Sequence, residues 1–461
     1  MSRPTIARLA SWCVLALATL GVTGRAHADD DALVLMGEQT SFTNVVDSFD
    51  DDDVFDIDIS VGYQRTWELG RVQRQDPTAP GDGRMSDHWV DIADYELTRN
   101  SLVFGLDIGI FRDLAVYARL PLILSDDRSL GRVGGNDPMS FLRTGSDPTL
   151  PALFDVPEGG FRSPTRSGVD YMTAGLAWSI LNQFRDPHVA TWVLMLEGRF
   201  NLGDPMRACR VSAGTTSCPG RGAEGNVQPG VGRGTNALRI ETRASYRYQY
   251  LEPYVGIAFQ IEWPGSGDRF YLPSGNLAGF INQRPPILGR FTVGTAIIPW
   301  EDREHYQRFS IDLRIMGDYV SEGHDYSPLF DALGSSANTY LTTPNAETTD
   351  GSGRQVDFYG LTDTQSHGRF GGQVTLDMLA ARYVRFTVAA GFYYSPPYVI
   401  TQADACNPNV DPRGDADPRQ GTCRSGIINP HHRPAIDLPG QRFRMEGVTQ
   451  IDLSAFVTAQ F

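Results

Sequence analysis

Lysine is absent from the sequence, so all 40 basic residues are arginine. A lysine nucleophile or Schiff base is therefore excluded as a catalytic device. The chain is acidic, with a formal net charge of −15, and it has no basic tract, which argues against nucleic-acid binding. No calcium-loop or zinc-protease spacing is found, and no motif indicates a cofactor, so neither a metal nor a cofactor is expected.

Long hydrophobic runs are scarce as well. The run 9–22 is shorter than the ~20 apolar residues of a transmembrane helix, and no other stretch approaches that length. It follows a positively charged start that includes Arg8, and it precedes an A-x-A cleavage pattern at 26–28. Residues 1–28 are therefore predicted to be a cleaved secretory signal peptide.

Cysteines are few, with five in the chain. Cys13 leaves with the signal peptide, and a lipid anchor on it is not expected because the residue before it is not small. The other four form two local couples, Cys209 with Cys218 and Cys406 with Cys423. In an exported protein this arrangement favours two disulfides, and four free thiols are the alternative.

A strict alternation of side chains marks the end of the sequence, from 441 to 461. The odd positions are mostly apolar and include Phe443, Met445, Ile451, Leu453, Val457 and Phe461. The even positions are mostly polar, so a strand here would present one face to lipid and the other to a wet interior. A final strand that ends in Phe461 resembles the C-terminal signal that the barrel assembly machinery recognises in outer-membrane proteins.

The same alternation recurs upstream and predicts an all-β fold for 54–461, a closed antiparallel transmembrane β-barrel of about twelve strands. Short connections alternate with long ones, which is typical of short periplasmic turns and long external loops, and aromatic residues fall near both strand ends. A soluble sandwich or propeller explains neither the alternating loop lengths nor the terminal aromatic residue. The strands are predicted near 54–68, 90–111, 114–124, 169–180, 190–201, 236–248, 252–263, 288–299, 308–320, 368–380, 383–396 and 443–461.

The segment 29–53 precedes the first predicted strand and contains an acidic run from Asp50 to Asp53. A solvated periplasmic tail is the favoured interpretation. The alternative is a luminal plug or a divalent-cation site, because hard cations prefer carboxylate oxygens.

Two strand–turn–strand segments carry a family resemblance. The segment 104–124, "FGLDIGIFRDLAVYARLPLIL", and the segment 168–187, "GVDYMTAGLAWSILNQFRDP", resemble outer-membrane transporters of the phenol meta-cleavage pathway type. Those are distantly similar to the long-chain fatty-acid transporter group, whose barrels have fourteen strands and an N-terminal plug. The resemblance implies a transport function in the outer membrane.

Charged residues of both signs occupy the predicted inward positions. They can pair across the lumen, or they can line a polar pathway in which arginine binds carboxylates or phosphates. The surplus of arginines near Arg243 and Arg444 is the best candidate for a solute-contacting patch. The residues predicted to line the lumen are Arg239, Glu241, Arg243, Arg247, Asp312, Arg314, Asp318, Arg442, Arg444, Glu446 and Asp452.

These observations predict an outer-membrane channel or transporter for small polar or amphipathic solutes, not an enzyme. Its expected partners are outer-membrane lipid, lipopolysaccharide, the assembly machinery and the solute. One alternative is a barrel enzyme of the lipase or protease kind, with histidine near the external rim in Ser366-His367 or beside Ser327 in "GHDYSP". A structural or adhesive barrel whose loops bind a partner is the other alternative.

Overall fold

The computed structural model describes residues 39–46, 48, 56–76, 88–134, 141–142, 152–212, 214–218, 228–265, 284–342, 357–405, 416–417, 422–423, 429 and 431–461. The signal peptide predicted at 1–28, the acidic run from Asp50 to Asp53 and Cys406 lie outside these residues. The cleavage site and the disulfide between Cys406 and Cys423 therefore stay predictions.

Twelve antiparallel strands form one closed sheet, in which each strand pairs with its neighbours in the sequence. The last strand also pairs with the first, from Asp58 opposite Gln460 to Arg74 opposite Phe443, and this pairing closes the barrel. The predicted closed barrel of twelve strands is confirmed. The strands are β1 (Ile57–Gln75), β2 (Trp89–Phe111), β3 (Leu114–Arg132), β4 (Tyr171–Leu181), β5 (Thr191–Asn201), β6 (Thr235–Ser245), β7 (Leu251–Pro264), β8 (Leu288–Asp302), β9 (Gln307–Val320), β10 (His367–Ala381), β11 (Val384–Ser395) and β12 (Phe443–Gln460).

The outer surface of the barrel is apolar because the side chains alternate between the two faces of each strand. Ile59 on β1, Ile257 on β7 and Ile315 on β9 are all more than half exposed on this surface. Aromatic residues such as Trp178 and Trp263 are also exposed there, near the ends of their strands. A closed barrel with an apolar exterior and aromatic ends spans the outer membrane of Gram-negative bacteria.

Tight turns join the strands at the periplasmic end. Arg112, Gln249 and Tyr306 lie in these turns with φ of +41°, +51° and +53°, in the left-handed region that a tight reversal requires. The short connections predicted from the sequence are thus confirmed.

A β-bulge interrupts the alternation in β12. Gly447 has φ of +61°, and the register between β1 and β12 shifts there, so that Leu69 lies opposite Thr449 but Arg71 lies opposite Glu446. Because of this extra residue, the side chains of 443–446 lie on the opposite faces from those that the alternation over 449–461 predicts.

This exchange corrects the predicted facing of one end of β12. Phe443 and Met445, predicted to face lipid, are completely buried on the inner side. Arg444 and Glu446, predicted to face the lumen, lie on the outer side with Arg71. The sequence alternation does not reveal the backbone conformation of Gly447, so the bulge could not be predicted from it.

Four strands continue well beyond the membrane. β1, β2, β3 and β12 contain 19, 23, 19 and 18 residues, whereas a tilted strand needs about 9–11 residues to cross a bilayer. Their external ends and the long loops share a hydrophobic core that includes Leu142, Leu153, Leu333, Ile436 and Phe443. We call this packed layer of external loops the cap.

The cap contains short helices and short strand pairs. Among the described residues, no helix is long and apolar enough to cross a membrane. The helices are α1 (Phe330–Gly334), α2 (Thr339–Thr342) and α3 (Pro434–Asp437). The short strands are Phe161–Arg162, Arg166–Val169, Arg210–Ser212, Thr215–Ser217, Gly323–Asp325, Thr362–Thr364, Tyr398–Val399, Ala416–Asp417 and Thr422–Cys423.

The closed ladder predicts heat-modifiable migration in SDS. A barrel has no free strand edge, so its opening requires the loss of the whole hydrogen-bonded sheet at once. We expect unboiled protein to migrate at a different apparent mass from boiled protein in gel electrophoresis. Identical migration of the two samples would contradict the closed barrel.

Candidate functional site

The arginines of β6 are bound to acids of the barrel wall. Arg239 and Arg243 both donate to Glu241, at 2.5 and 2.7 Å. Arg247 forms an ion pair with Glu301 at 2.7 Å, and both side chains are nearly completely buried. Removing one partner of such a buried pair typically costs about 3–5 kcal/mol, because the other charge is left uncompensated.

The predicted lumen residues of β9 are paired in the same way. Arg314 donates to Asp312 at 3.0 Å and to the Tyr254 hydroxyl at 3.1 Å. Asp318 accepts from two arginines, Arg290 at 2.7 Å and Arg369 at 2.5 Å. These charges form a network across neighbouring strands.

The β12 residues predicted to line the lumen divide into two groups. Asp452 points inward and accepts from Thr66 and Gln450, at 2.6 and 2.7 Å. Arg444 lies on the outer side of the barrel and stacks over the Trp89 ring. Arg442 lies just before β12 and donates to the Asp437 carbonyl in the cap. The predicted arginine patch that combines β6 with β12 is therefore not assembled.

A segment before β1 lies inside the barrel near its periplasmic end. We call residues 39–46 the luminal segment. Its Thr40 amide and Thr43 hydroxyl donate to the fully buried Glu252, each at 3.1 Å. The Thr43 hydroxyl is also 2.7 Å from the Ser245 hydroxyl on β6.

Phe42 is the centre of the luminal segment. Its ring stacks on Tyr254 with centroids 4.1 Å apart, and it is only 4% exposed. The guanidinium carbons of Arg243 and Arg314 lie 4.8 and 4.9 Å from the ring centroid, so two wall arginines hold it by cation–π contacts. The favoured interpretation of 29–53 as a periplasmic tail did not anticipate these contacts.

A cavity of about 290 Å³ lies at the external end of the lumen, beneath the cap. We call it the chamber. Its wall comes from the external ends of the strands, and its roof comes from the loops after β9 and β11. Its lining includes Glu68, Arg233, Asp325, Arg369, Tyr393 and Tyr398. It combines charged groups with aromatic rings, as binding sites for amphipathic molecules do.

A disulfide and a buried ion pair fasten the third external loop to the cap. Cys209 and Cys218 are joined, as predicted. The Cys209 amide donates to Asp331 at 2.9 Å, and the same carboxylate binds the buried Arg166 at 2.6 Å. The bridge therefore lies where the third external loop meets the loop of Asp331 and the short strand Arg166–Val169.

Replacing Cys209 and Cys218 with alanine is expected to loosen the cap without opening the barrel. The bridge closes a short loop, which contributes about 2–4 kcal/mol in the entropy model. We expect faster hydrogen exchange around residues 207–218 and unchanged heat-modifiable migration. Unchanged exchange in that loop would show that the bridge does not order it.

Three histidines of the cap are buried together. His324 contacts Asp363 at 2.6 Å, and its ring lies 4.7 Å from that of His431. Burial lowers the pKa of His431 well below its ordinary value, and the nearby His324 lowers it further. The Ser327 hydroxyl makes no hydrogen bond to His324 among the described residues, so the two do not form a Ser-His pair. Among the described residues, no group of His, Cys, Asp or Glu is arranged to hold a metal ion.

Protonation of the buried His432 in acid is expected to destabilise the same part of the cap. Burial lowers the pKa of His432 from 6.5 to about 4. The stabilisation from neutral His432 is therefore complete above about pH 6.5 and is lost as pH falls through 4. Burial raises the pKa of Asp437 to about 7. The effect of Asp437 on stability has the opposite pH dependence, because its stabilisation is lost as pH rises towards 7.

A His432→Gln variant separates the two contributions. We expect hydrogen-exchange protection of residues 431–437, corrected for intrinsic rates, to fall less in the variant than in the wild type between pH 6.5 and 4. Equal losses in both proteins would exclude His432 as the source.

Comparisons with known proteins return structures of the same class. No protein-family model matches the sequence, and no curated protein matches it. The barrel is similar to an outer membrane channel from Pseudomonas putida F1, with a TM-score of 0.38 and 8% identity over 92% of this chain and 99% of that one. It is similar to a Pseudomonas aeruginosa FadL homologue, with a TM-score of 0.30 and 7% identity over 88% and 90% of the chains. It is also similar to the Escherichia coli outer membrane protease OmpT, with a TM-score of 0.28 and 9% identity over 88% and 96%.

These likenesses concern the fold alone, and the matched structures include both a channel and a protease.

Proposed function

We propose that this chain is an outer-membrane channel or transporter for small polar or amphipathic solutes. The supporting observation is the chamber, which lies in the lumen between the cap and the luminal segment. The chamber combines charged groups with aromatic rings, as a binding site for polar or amphipathic solutes requires. The paired charges of the wall supply hydrogen-bonding groups along the lumen.

The luminal segment is proposed to act as a plug at the periplasmic mouth. It is held by hydrogen bonds to Glu252 and by the stack of Phe42 on Tyr254, with no covalent tie among these contacts. Individual hydrogen bonds contribute about 0.5–1.5 kcal/mol each, so the segment can be displaced without unfolding the barrel. Solute would enter under the cap, occupy the chamber and leave when the plug moves.

The outer surface of the barrel implies that its further partners are lipids and the assembly machinery. Lipid and lipopolysaccharide would surround the apolar band, and the assembly machinery would recognise the last strand through Phe461. An enzyme is not favoured, since the Ser327 hydroxyl makes no hydrogen bond to His324 among the described residues. An adhesive barrel would be indicated by a sealed protein whose loops bind a macromolecule.

Liposome swelling tests the proposal. Purified protein is reconstituted into liposomes, and swelling is followed in isosmotic solutions of small neutral sugars, alcohols and amino acids. We expect swelling above that of protein-free liposomes for at least the smallest solutes, with a steep dependence on solute size. Swelling equal to that of protein-free liposomes for every solute, with correctly folded protein, would refute transport.

A further inference from the structure

One carboxylate of the chamber has no ion pair. Glu68 on β1 points inward, opposite Leu97 of β2 and Gln450 of β12. It is half-buried, and its accessible surface faces the chamber. Within the described part of the chain, no arginine or histidine nitrogen lies within 4.0 Å of this carboxylate.

The two arginines that line the chamber, unlike Glu68, each form an ion pair. Arg233 donates to both oxygens of Asp325, at 2.8 and 2.9 Å. Arg369 donates to Asp318 through two nitrogens, at 2.9 and 2.5 Å. An anionic solute would have to displace these carboxylates before it could bind either guanidinium.

Arginines farther from Glu68 are also engaged. Arg99 and Arg128 both bind the fully buried Asp126, at 2.7 Å from Arg99 and 2.8 Å from Arg128. One carboxylate offsets part of the charge of these two arginines, and neither forms an ion pair with Glu68. Glu68, Arg233 and Arg369 all line the chamber.

The other chamber walls suit a ring-bearing molecule. His367 and Tyr398 stack with centroids 3.8 Å apart, and Tyr393 lies beneath Arg369. The Ser327 hydroxyl is 3% exposed and has no hydrogen-bond partner among the described residues. A second polar group on the ligand would satisfy this oxygen, since buried hydroxyls are normally hydrogen-bonded.

We infer that the chamber binds a small organic cation, an ammonium group attached to a ring, with the ammonium at Glu68 and the ring among Tyr393, Tyr398 and His367. The inference rests on the proposed transport function and names its substrate class. A volume of about 290 Å³ lies near the lower end of the range found for ligand pockets, so the chamber suits a small ligand. An ammonium gains a charge-assisted hydrogen bond at Glu68 that a neutral or anionic analogue does not.

Titration calorimetry with three probes of matched size and different charge tests this inference. The probes are 2-phenylethylammonium, 2-phenylethanol and 3-phenylpropionate, added to the folded full-length protein in detergent. We expect the ammonium to bind at least tenfold more tightly than the alcohol and the carboxylate to bind most weakly. Glu68→Gln should remove the preference for the ammonium, and Glu68→Asp should keep part of it.

Glu96→Gln is the matched control, because Glu96 is an exposed acid on β2 that lies beside β1 and outside the lumen. It should bind all three probes as the wild type does, and heat-modifiable migration confirms that each variant is folded. Equal affinity for ammonium and alcohol, tighter binding of the carboxylate, or no binding of any probe would each overturn the inference. Swelling in neutral solutes does not depend on Glu68 and tests transport separately.

Discussion

Deletion of the luminal segment, residues 39–46, is expected to convert a nearly closed barrel into a steadily conducting pore. The segment occupies the periplasmic mouth, where Phe42 lies between Tyr254 and the guanidinium groups of Arg243 and Arg314. Its removal leaves a water-filled bore lined by charged side chains. In planar bilayers we expect the mean conductance to rise tenfold or more over that of the wild type.

Two point variants show whether Phe42 is responsible. Phe42→Ala removes the ring that the two wall arginines hold, so it should give frequent openings. Asn44→Ala changes the same segment at a side chain that makes no hydrogen bond within the described part of the chain, and it should behave as the wild type. A deletion variant that conducts no more than the wild type would show that the cap, and not this segment, closes the lumen.

Removal of Phe461 is expected to reduce the amount of barrel in the outer membrane about tenfold. Phe461 exchanges two main-chain hydrogen bonds with Ile57, each 3.0 Å long, at the seam where β12 meets β1. Its ring is 63% exposed on the lipid side, at the position that resembles the assembly signal. Quantitative immunoblotting of outer-membrane fractions measures the effect.

Phe386→Ala provides the control for lost apolar surface. Phe386 is 44% exposed on β11 and lies opposite Val457 of β12, but it is not at the seam. Its loss should leave assembly nearly unchanged. Normal outer-membrane levels of the protein without Phe461 would show that the terminal aromatic residue is dispensable.

The strands and their short turns could be predicted because period-two alternation is a local property of the sequence. All twelve predicted strands have a counterpart, and the pairing of Cys209 with Cys218 followed from their spacing in an exported chain. No register shift interrupts β6 between Arg239 and Arg243 or β9 between Asp312 and Asp318, so period-two alternation continues through these parts of both strands.

The remaining features depend on contacts between distant residues. Phe42 reaches Tyr254, more than two hundred positions away, and nothing local marks this contact. The bulge at Gly447 reverses Arg444 because of a single backbone angle, and alternation cannot reveal an inserted residue. Glu68 was not proposed as a site residue, since its isolation becomes visible only when its neighbours are found bound to other acids.

A reversible cross-link between the luminal segment and the wall tests most directly whether this segment gates a solute pathway. The Thr43 and Ser245 hydroxyls lie 2.7 Å apart, so Thr43→Cys with Ser245→Cys places two thiols within reach of a disulfide. We predict that the oxidised double variant in liposomes gives no swelling with solutes that the wild type admits. Reduction of the engineered disulfide should restore swelling. Wild-type protein carried through the same oxidation and reduction controls for the native bridge. A cross-link that forms completely and leaves the swelling rate unchanged would contradict a pathway through the periplasmic mouth.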